Sequence, residues 1–421
     1  MTPPDDAVIA RIAPGVGSID AAHWDALAGS DDPFLSHAFL SLLETSGSVG
    51  AGRAGGGTGW QAAPIVIDGP PGEGPVAVMP AYLKSHSQGE YVFDHGWADA
   101  WSRAGGSYYP KLQIAVPFTP VPGRRLLTGS DLAGSDLAGG DGDQHAHHEA
   151  ALIAAAEAVV AQNGLSSAHA TFVSAEQVPL FEQAGWLIRH GTQFHWHDAD
   201  HDAGHDAGYG DFEGFLAALS SRKRKDIRKE RATAQAAVRI EALTGDALRA
   251  EHWDVMWACY QDTGQRKWGT PYLTREAFTL LGETMADKVL LLIAYDRAAD
   301  ARGECVPVAA ALNLIGRDAL YGRYWGCLAE IPCLHFELCY YQAIDFALAH
   351  GLTRVEAGAQ GEHKLARGYA PVTTYSAHYI PHEGFRAAVA DFIAREQEAV
   401  AQESAWLAGH APFRKGDAAG Q

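Results

Sequence analysis

The densest collection of groups able to exchange protons or bind anions lies between Glu356 and Tyr369, in the run Glu-Ala-Gly-Ala-Gln-Gly-Glu-His-Lys-Leu-Ala-Arg-Gly-Tyr. Glu362 and His363 can take up a proton, Lys364 and Arg367 can hold an anion, and the glycines let backbone approach a ligand closely. An amine attacking a carbonyl needs such a set: a base that keeps the amine neutral, and donors for the oxyanion that develops. A solvated turn would tolerate the same residues without needing them.

Other groups could serve the same chemistry. Arg323-Tyr-Trp-Gly326-Cys-Leu328 ends an apolar run and precedes a helical pattern that opens with His335 and Glu337 among Phe336, Leu338, Tyr340 and Tyr341. The Glu337 carboxylate reads either as a buried hydrogen-bonding group or as a tuned acid or base, because burial raises its pKa while a helix N-terminus lowers it. Ser221–Arg231 holds six Arg or Lys residues before its closing arginine, with Ile227 as nearly its only apolar anchor. As a helix it places Arg224, Arg228 and Arg231 on one face with Lys225 alongside. That is either a solvated linker helix or a cationic arm for a polyphosphate or an RNA backbone. Tyr108–Pro120, with Tyr108, Tyr109, Lys111 and three prolines, reads as a stiff binding loop. Trp97 and Trp101 just before it read as a pocket wall or as core.

The chain of 421 residues has a formal charge of −19, which taken alone argues against a nucleic-acid surface. Much of that charge sits in two Gly/Asp/His-rich inserts, near 130–148 and 198–213, that read as solvated loops. Their histidines show no closed ligand spacing, so no metal site is assigned. The odd cysteine count of five, with Cys327, Cys333 and Cys339 at intervals of six, fits reduced packed thiols better than zinc ligands. No apolar run reaches the roughly 18 residues of a membrane span, and no signal peptide is visible at Met1–Gly15, so a cytoplasmic protein is expected.

The elements that must position these groups form a repeated pattern. Strands are expected at Val8–Ala13, Gln61–Ile67, Val76–Leu83, Tyr91–Asp94 and His169–Val173, a helix at Glu149–Gln162, and a hairpin of Leu187–Arg189 and Gln193–His197. From Val238 the order recurs: strands at Val238–Ala242, Val289–Tyr295, Val306–Ile315 and Ala319–Trp325, a helix at His335–His350, and strands at Arg354–Ala357 and Thr373–Ile380. This predicts an α/β protein of mixed (α+β) sheets in two domains, 1–210 with an acidic insert and 211–421 preceded by a basic helix over 221–236. The element order is that of the acyl-CoA N-acyltransferase (GNAT) fold.

Arg222–Glu230, Gly264–Gly269, Gly322–Gly326, Leu334–Tyr341 and Gly358–Tyr369, with Asp94–Trp101, Tyr108–Pro120 and Gln193–Trp196 in the first half, together resemble the FemAB-like family of peptidoglycan-related tandem GNAT-fold proteins. The resemblance covers about Pro33 to Val400. It implies similarity to the Fem transferases, which add amino acids from aminoacyl-tRNA to peptidoglycan precursors. On that footing the expected activity is acyl or aminoacyl transfer forming an amide on an amine acceptor, a peptidoglycan-precursor peptide or amino sugar, held between the domains. His363 or Glu362 would be the base, Lys364 and Arg323 the anion donors and Glu337 an orienting group. Tyr108, Tyr109, Lys111, Arg266, Trp268, Trp325, Arg367 and Tyr369 would bind substrate, and Arg224, Lys225 and Arg228 would hold phosphate. No permanently bound cofactor is expected. The donor would be aminoacyl-tRNA, docked through the basic helix, or acyl-CoA. Arg323–Leu328 matches only part of the Arg/Gln-x-x-Gly-x-Gly/Ala pyrophosphate motif of coenzyme-A-dependent relatives. A non-catalytic recognition protein for peptidoglycan precursors is the remaining alternative.

Overall fold

The computed structural model describes residues 9–52, 57–129, 141–198, 208–266, 271–358, 362–408 and 412–413. Contacts divide the chain into two compact units, Met1–Gly191 with Thr373–Val400, and Thr192–Val372 with Ala401–Gln421. The division is therefore not a single break near 210, as expected from sequence.

In the first unit the chain runs β1 (Ala10–Ile12), α1 (Ala21–Ala28), α2 (His37–Thr45), β2 (Trp60–Ala62), β3 (Ile65–Asp68), β4 (Pro75–Met79), β5 (Ala81–Lys84), α3 (His95–Arg103), β6 (Lys111–Ile114), α4 (Asp141–Asn163), β7 (Ala168–Val173), α5 (Val178–Gln183) and the start of β8 (Leu187–His197). Pro64 and Pro80 lack the N–H that would continue their ladders, and at these points the sheet divides. One part is β1-β3-β4; the other orders its strands β2-β5-β6-β7. β5 and β6 are antiparallel, and β6 and β7 are parallel. Leu152, Ile153, Ala156, Val159 and Val160 form the apolar stripe of α4, packed with Ile114, Ala168 and Ala170 in one core.

In the second unit α6 (Phe212–Ala218) and α7 (Ser221–Ala237) lead into β9 (Val238–Leu243), α8 (Ala250–Arg266), α9 (Arg275–Thr284), β10 (Val289–Asp296), α10 (Arg297–Asp300), β11 (Pro307–Ile315) and β12 (Ala319–Cys327). A helix follows in three pieces: α11 (Leu334–Phe336), a π-turn (Glu337–Tyr341) and α12 (Gln342–Ala349). β13 (Arg354–Glu356), a 3-10 turn (Glu362–Arg367), β14 (Ala370–Tyr379) and α13 (Glu383–Ala408) end the order. β9 to β12 form an antiparallel meander and β13 joins β12 in parallel. Asp211 and Thr274 cap α6 and α9 by accepting from Gly214 and Ala277 N–H groups.

Both units thus share one plan: an antiparallel run, one parallel pair, then an antiparallel closing strand. The closing strands are exchanged between the halves of the sequence. Tyr375–Tyr379 of β14 pairs with β7, and His195–His197 of β8 pairs with β13. The sequence reading assigned each to its own half, and hydrophobic alternation carries no information about which edge a strand joins.

Other differences are local. Tyr91–Asp94 is not a strand, since Tyr91 is left-handed at φ 60, and it leads into α3 instead. Lys111–Ile114, read as loop, is a strand with all four residues buried, Lys111 and Gln113 included, so no apolar alternation marks it. Leu187–His197 is one strand rather than a hairpin. Among the described residues no helix is long and apolar enough to cross a membrane.

Candidate active site

β12 and β13 pair over only three residues, Ala319 to Tyr321 against Arg354 to Glu356, after which β12 runs on to Cys327. A register shift at Leu312/Asn313 leaves Arg323 as the extra residue of a bulge. Beyond the end of β13, Gly358 takes φ 78 and the chain enters the 3-10 turn that carries His363, Lys364 and Arg367. Facing that turn is the helix opening after β12, with its π-turn at Glu337–Tyr341. Such single-turn insertions re-aim side chains and recur at functional sites.

His363 is exposed, and its Nε2 lies 2.8 Å from the Tyr340 hydroxyl, which is also 3.4 Å from His335 Nε2. The rings of His335, Phe336 and Tyr340 crowd the imidazole at 6.2, 5.8 and 5.7 Å, and the Trp325 ring of β12 lies tilted against His335 at 5.1 Å. Partial desolvation, then Arg367 and Lys364, hold the His363 pKa below its ordinary value. Desolvation raises that of Tyr340, which stays a phenol. The neighbouring Lys364 is buried, donates from Nζ to the Gly358 carbonyl at 2.6 Å, and is lowered by burial to about 8.

Glu337 is fully buried. Its Oε1 accepts from Gln235 and Gln342 at 2.8 Å and from Arg231 at 3.2 Å, while Oε2 has no hydrogen-bond partner among the described residues. Arg231 also donates to Asp345 at 2.5 Å. The inner face of α7 is therefore a set of polar ties, with Ile227 and Ala234 as its buried apolar residues.

The structure brings together His363, Lys364, Arg367, Tyr369, Trp325 and Glu337. Tyr369 is buried against Tyr340 at 5.4 Å, and Arg367 is engaged by protein groups. The Arg323 guanidinium lies 5.5 Å over Tyr324, whose ring packs with Tyr260 and Phe278 of α8 and α9. On α7, Lys225 is exposed, Arg224 is half-buried, and Arg228 is ion-paired with Glu213. Trp268 and the side chains of Arg266 and Glu362 lie outside the described residues.

Tyr108, Tyr109 and Lys111 belong to the first unit and form a separate network. Lys111 and Tyr108 are buried rather than lining a loop. Lys111 donates to Glu90 at 2.7 Å, to Ser87 at 2.9 Å and to Asp94; Tyr108 donates to Asp94 at 2.7 Å and lies 3.1 Å from His169, which meets His378 at 2.7 Å. Only Tyr109 is half-exposed, its hydroxyl 2.8 Å from Ser87. Sequence reading missed Glu90, Asp94, His169 and His378 here, and Glu230 in the second unit. For Glu230 the available signal was an acid within a run of cations, a place it shares with Asp226.

Comparison with known proteins accords with this architecture. A family model named FemAB-like and described as peptidoglycan biosynthesis/recognition matches residues 15–415. Among solved structures, FemX aligns with a TM-score of 0.52 and 11% identity, covering 88% of this chain and 98% of that one. The C-terminal domain of a putative lysylphosphatidylglycerol synthetase from Agrobacterium fabrum aligns at 0.50 and 8% identity, covering 88% and 93%. L-PGS from Bacillus licheniformis gives 0.47 and 11%, covering 87% and 98%. At these identities the likeness to FemX and to the Agrobacterium fabrum domain is one of fold. A search of curated proteins finds no match.

Proposed function

Because the chain belongs to the FemAB-like family and is with it a transferase, we propose that it moves an aminoacyl group from an activated ester onto the amine of a peptidoglycan-precursor-related acceptor, with His363 as the base. The observation that carries this reading is the pairing of His363 with the Tyr340 phenol at 2.8 Å beside the buried Lys364. With its proton on Nε2, donated to Tyr340, the imidazole keeps the Nδ1 lone pair for the acceptor amine. The amine nitrogen attacks the ester carbonyl and its proton passes to His363. The C–O bond then breaks, and the departing hydroxyl leaves with a proton returned by the imidazolium. Lys364, as ammonium, supplies positive charge near the developing oxyanion.

Aminoacyl-tRNA is the favoured donor. Beyond the bulge at Arg323, the backbone at Tyr324–Leu328 stays in the ladder with β11, where Leu328 N–H donates to Val308 at 2.7 Å, and the next helix begins only at Leu334. A pyrophosphate cradle needs free N–H groups at the helix start. The exposed cations of α7 suit an RNA backbone, and the reaction is assigned to the cytosol, where charged tRNA is found. The test is incubation of purified protein with a peptidoglycan-precursor peptide and either charged tRNA or acetyl-CoA, followed by mass spectrometry of the acceptor. Amide product from charged tRNA alone is expected. Product from acetyl-CoA alone overturns the donor, and product from neither, with precursor bound, favours a recognition protein.

A further inference from the structure

Glu230 of α7 turns inward from a helix whose outer face is basic. Arg367 Nη2 donates to its two oxygens at 2.8 and 3.0 Å, and the Tyr341 hydroxyl donates to Oε2. The same guanidinium donates from Nη1 to the His363 carbonyl at 2.8 Å and lies 3.4 Å from the centre of the Phe336 ring. Phe336 in turn meets the His363 imidazole. One planar group thus joins α7, the helix opening at Leu334 and the 3-10 turn. A 3-10 turn of six residues has poor hydrogen-bond geometry and does not hold its own shape well. A guanidinium can bind a carboxylate with two N–H groups while stacking on an aromatic face, which an ammonium cannot do.

We infer that Glu230 and Arg367 form a clip that positions His363, Glu230 acting through Arg367 and Arg367 through the His363 backbone. Arg367, which sequence assigned to substrate, is on this account a positioning residue. The inference rests on His363 as the base. Among the described residues, the charged or titratable groups facing its ring are Arg367 and Lys364 of the same turn, His335 and Tyr340 of the facing helix, and Glu230 of α7 through Arg367.

The experiment is an NMR titration of the His363 imidazole in the full chain, with hydrogen exchange at Lys364–Tyr369, in wild type, Glu230→Gln, Glu230→Asp and Arg367→Lys. In Glu230→Gln the released guanidinium leaves the imidazole, so its midpoint rises toward 6.5 and the turn amides exchange about tenfold faster or more, while the β10 amides of Val289–Ala294 keep their protection. Glu230→Asp retains the carboxylate and recovers part of both effects. Arg367→Lys keeps the charge, loses the fork, and shows the same two changes as Glu230→Gln. An unchanged midpoint and unchanged exchange in both Glu230→Gln and Arg367→Lys overturn the clip; so does equal acceleration of the β10 amides, which marks a merely structural role. Failure of the base reading is seen separately, as undiminished transfer by His363→Ala.

Discussion

His363 and Lys364 are adjacent in sequence but differently housed, and the difference predicts a pH profile. His363 is exposed with a pKa held below 6.5, whereas Lys364 is buried and lowered to about 8. A base must be neutral and an oxyanion donor must be charged. kcat/KM should therefore rise with pH through a midpoint below 6.5 and fall through one near 8. Lys364→Met is expected to abolish the alkaline limb, and a limb persisting near 8 would assign it to another group. His363→Ala should lower kcat by about 10²–10⁴-fold, with the melting temperature unchanged because the side chain is exposed.

Helix α7 presents two faces with different duties, and substitutions should separate them. On the outer face, reversing the exposed Lys225 and Lys229 to Glu is expected to weaken RNA binding. The slope of log K against log salt should fall by about 0.7–0.9 for each cation removed, with the fold intact. Arg228 is half-spent on Glu213, an exposed pair of little consequence for stability. On the inner face, Arg231→Met strands the fully buried Glu337 and its neighbour Asp345. Breaking a buried pair from one side costs about 3–5 kcal/mol, visible as a large drop in denaturation midpoint. If Arg231→Met instead leaves stability unchanged while Lys225→Glu unfolds the protein, the faces have been exchanged.

For the molecule as a whole, buried histidines set the acid limit. Burial pushes His169 and His195 down to about 3 and His378 well below its ordinary range. The folded chain holds these rings neutral where the unfolded chain titrates near 6.5. Their contribution is therefore full above pH 6.5 and is lost as pH falls from 6.5 toward 3. Glu90 works in the opposite sense: burial raises it from 4.5 to about 7, so the folded state takes up its proton first and offsets one histidine. Lys84, lowered to about 7, is protonated in both states below that pH and adds no slope there. The balance is a loss of about 1–3 kcal/mol per pH unit below 6.5. Calorimetry should show a thermal midpoint several degrees lower at pH 5 than at pH 7, and an equal or higher midpoint at pH 5 would mean that these rings are protonated in the fold.

The sequence alone determined the elements whose pattern is local. The apolar runs of β10 to β12, the cation run of α7 and the mixed polar block Gly358–Tyr369 state their own type, because hydrophobic period and residue chemistry need no partner to be read. It also sufficed to recognise the family and the duplicated plan. Tertiary structure decided which edge each closing strand joined: β8 pairs with β13 and β14 with β7, a choice made by ladder geometry between residues far apart in sequence. It decided that Lys111 and Tyr108 are sealed among Glu90, Asp94 and His169 rather than set on a loop, since a buried lysine is tolerated only where carboxylates from other segments meet it. And it decided that Arg367 faces Glu230, because a side chain's partner is fixed by the packing of α7 on the 3-10 turn, about which the spacing of charges along the chain carries no information.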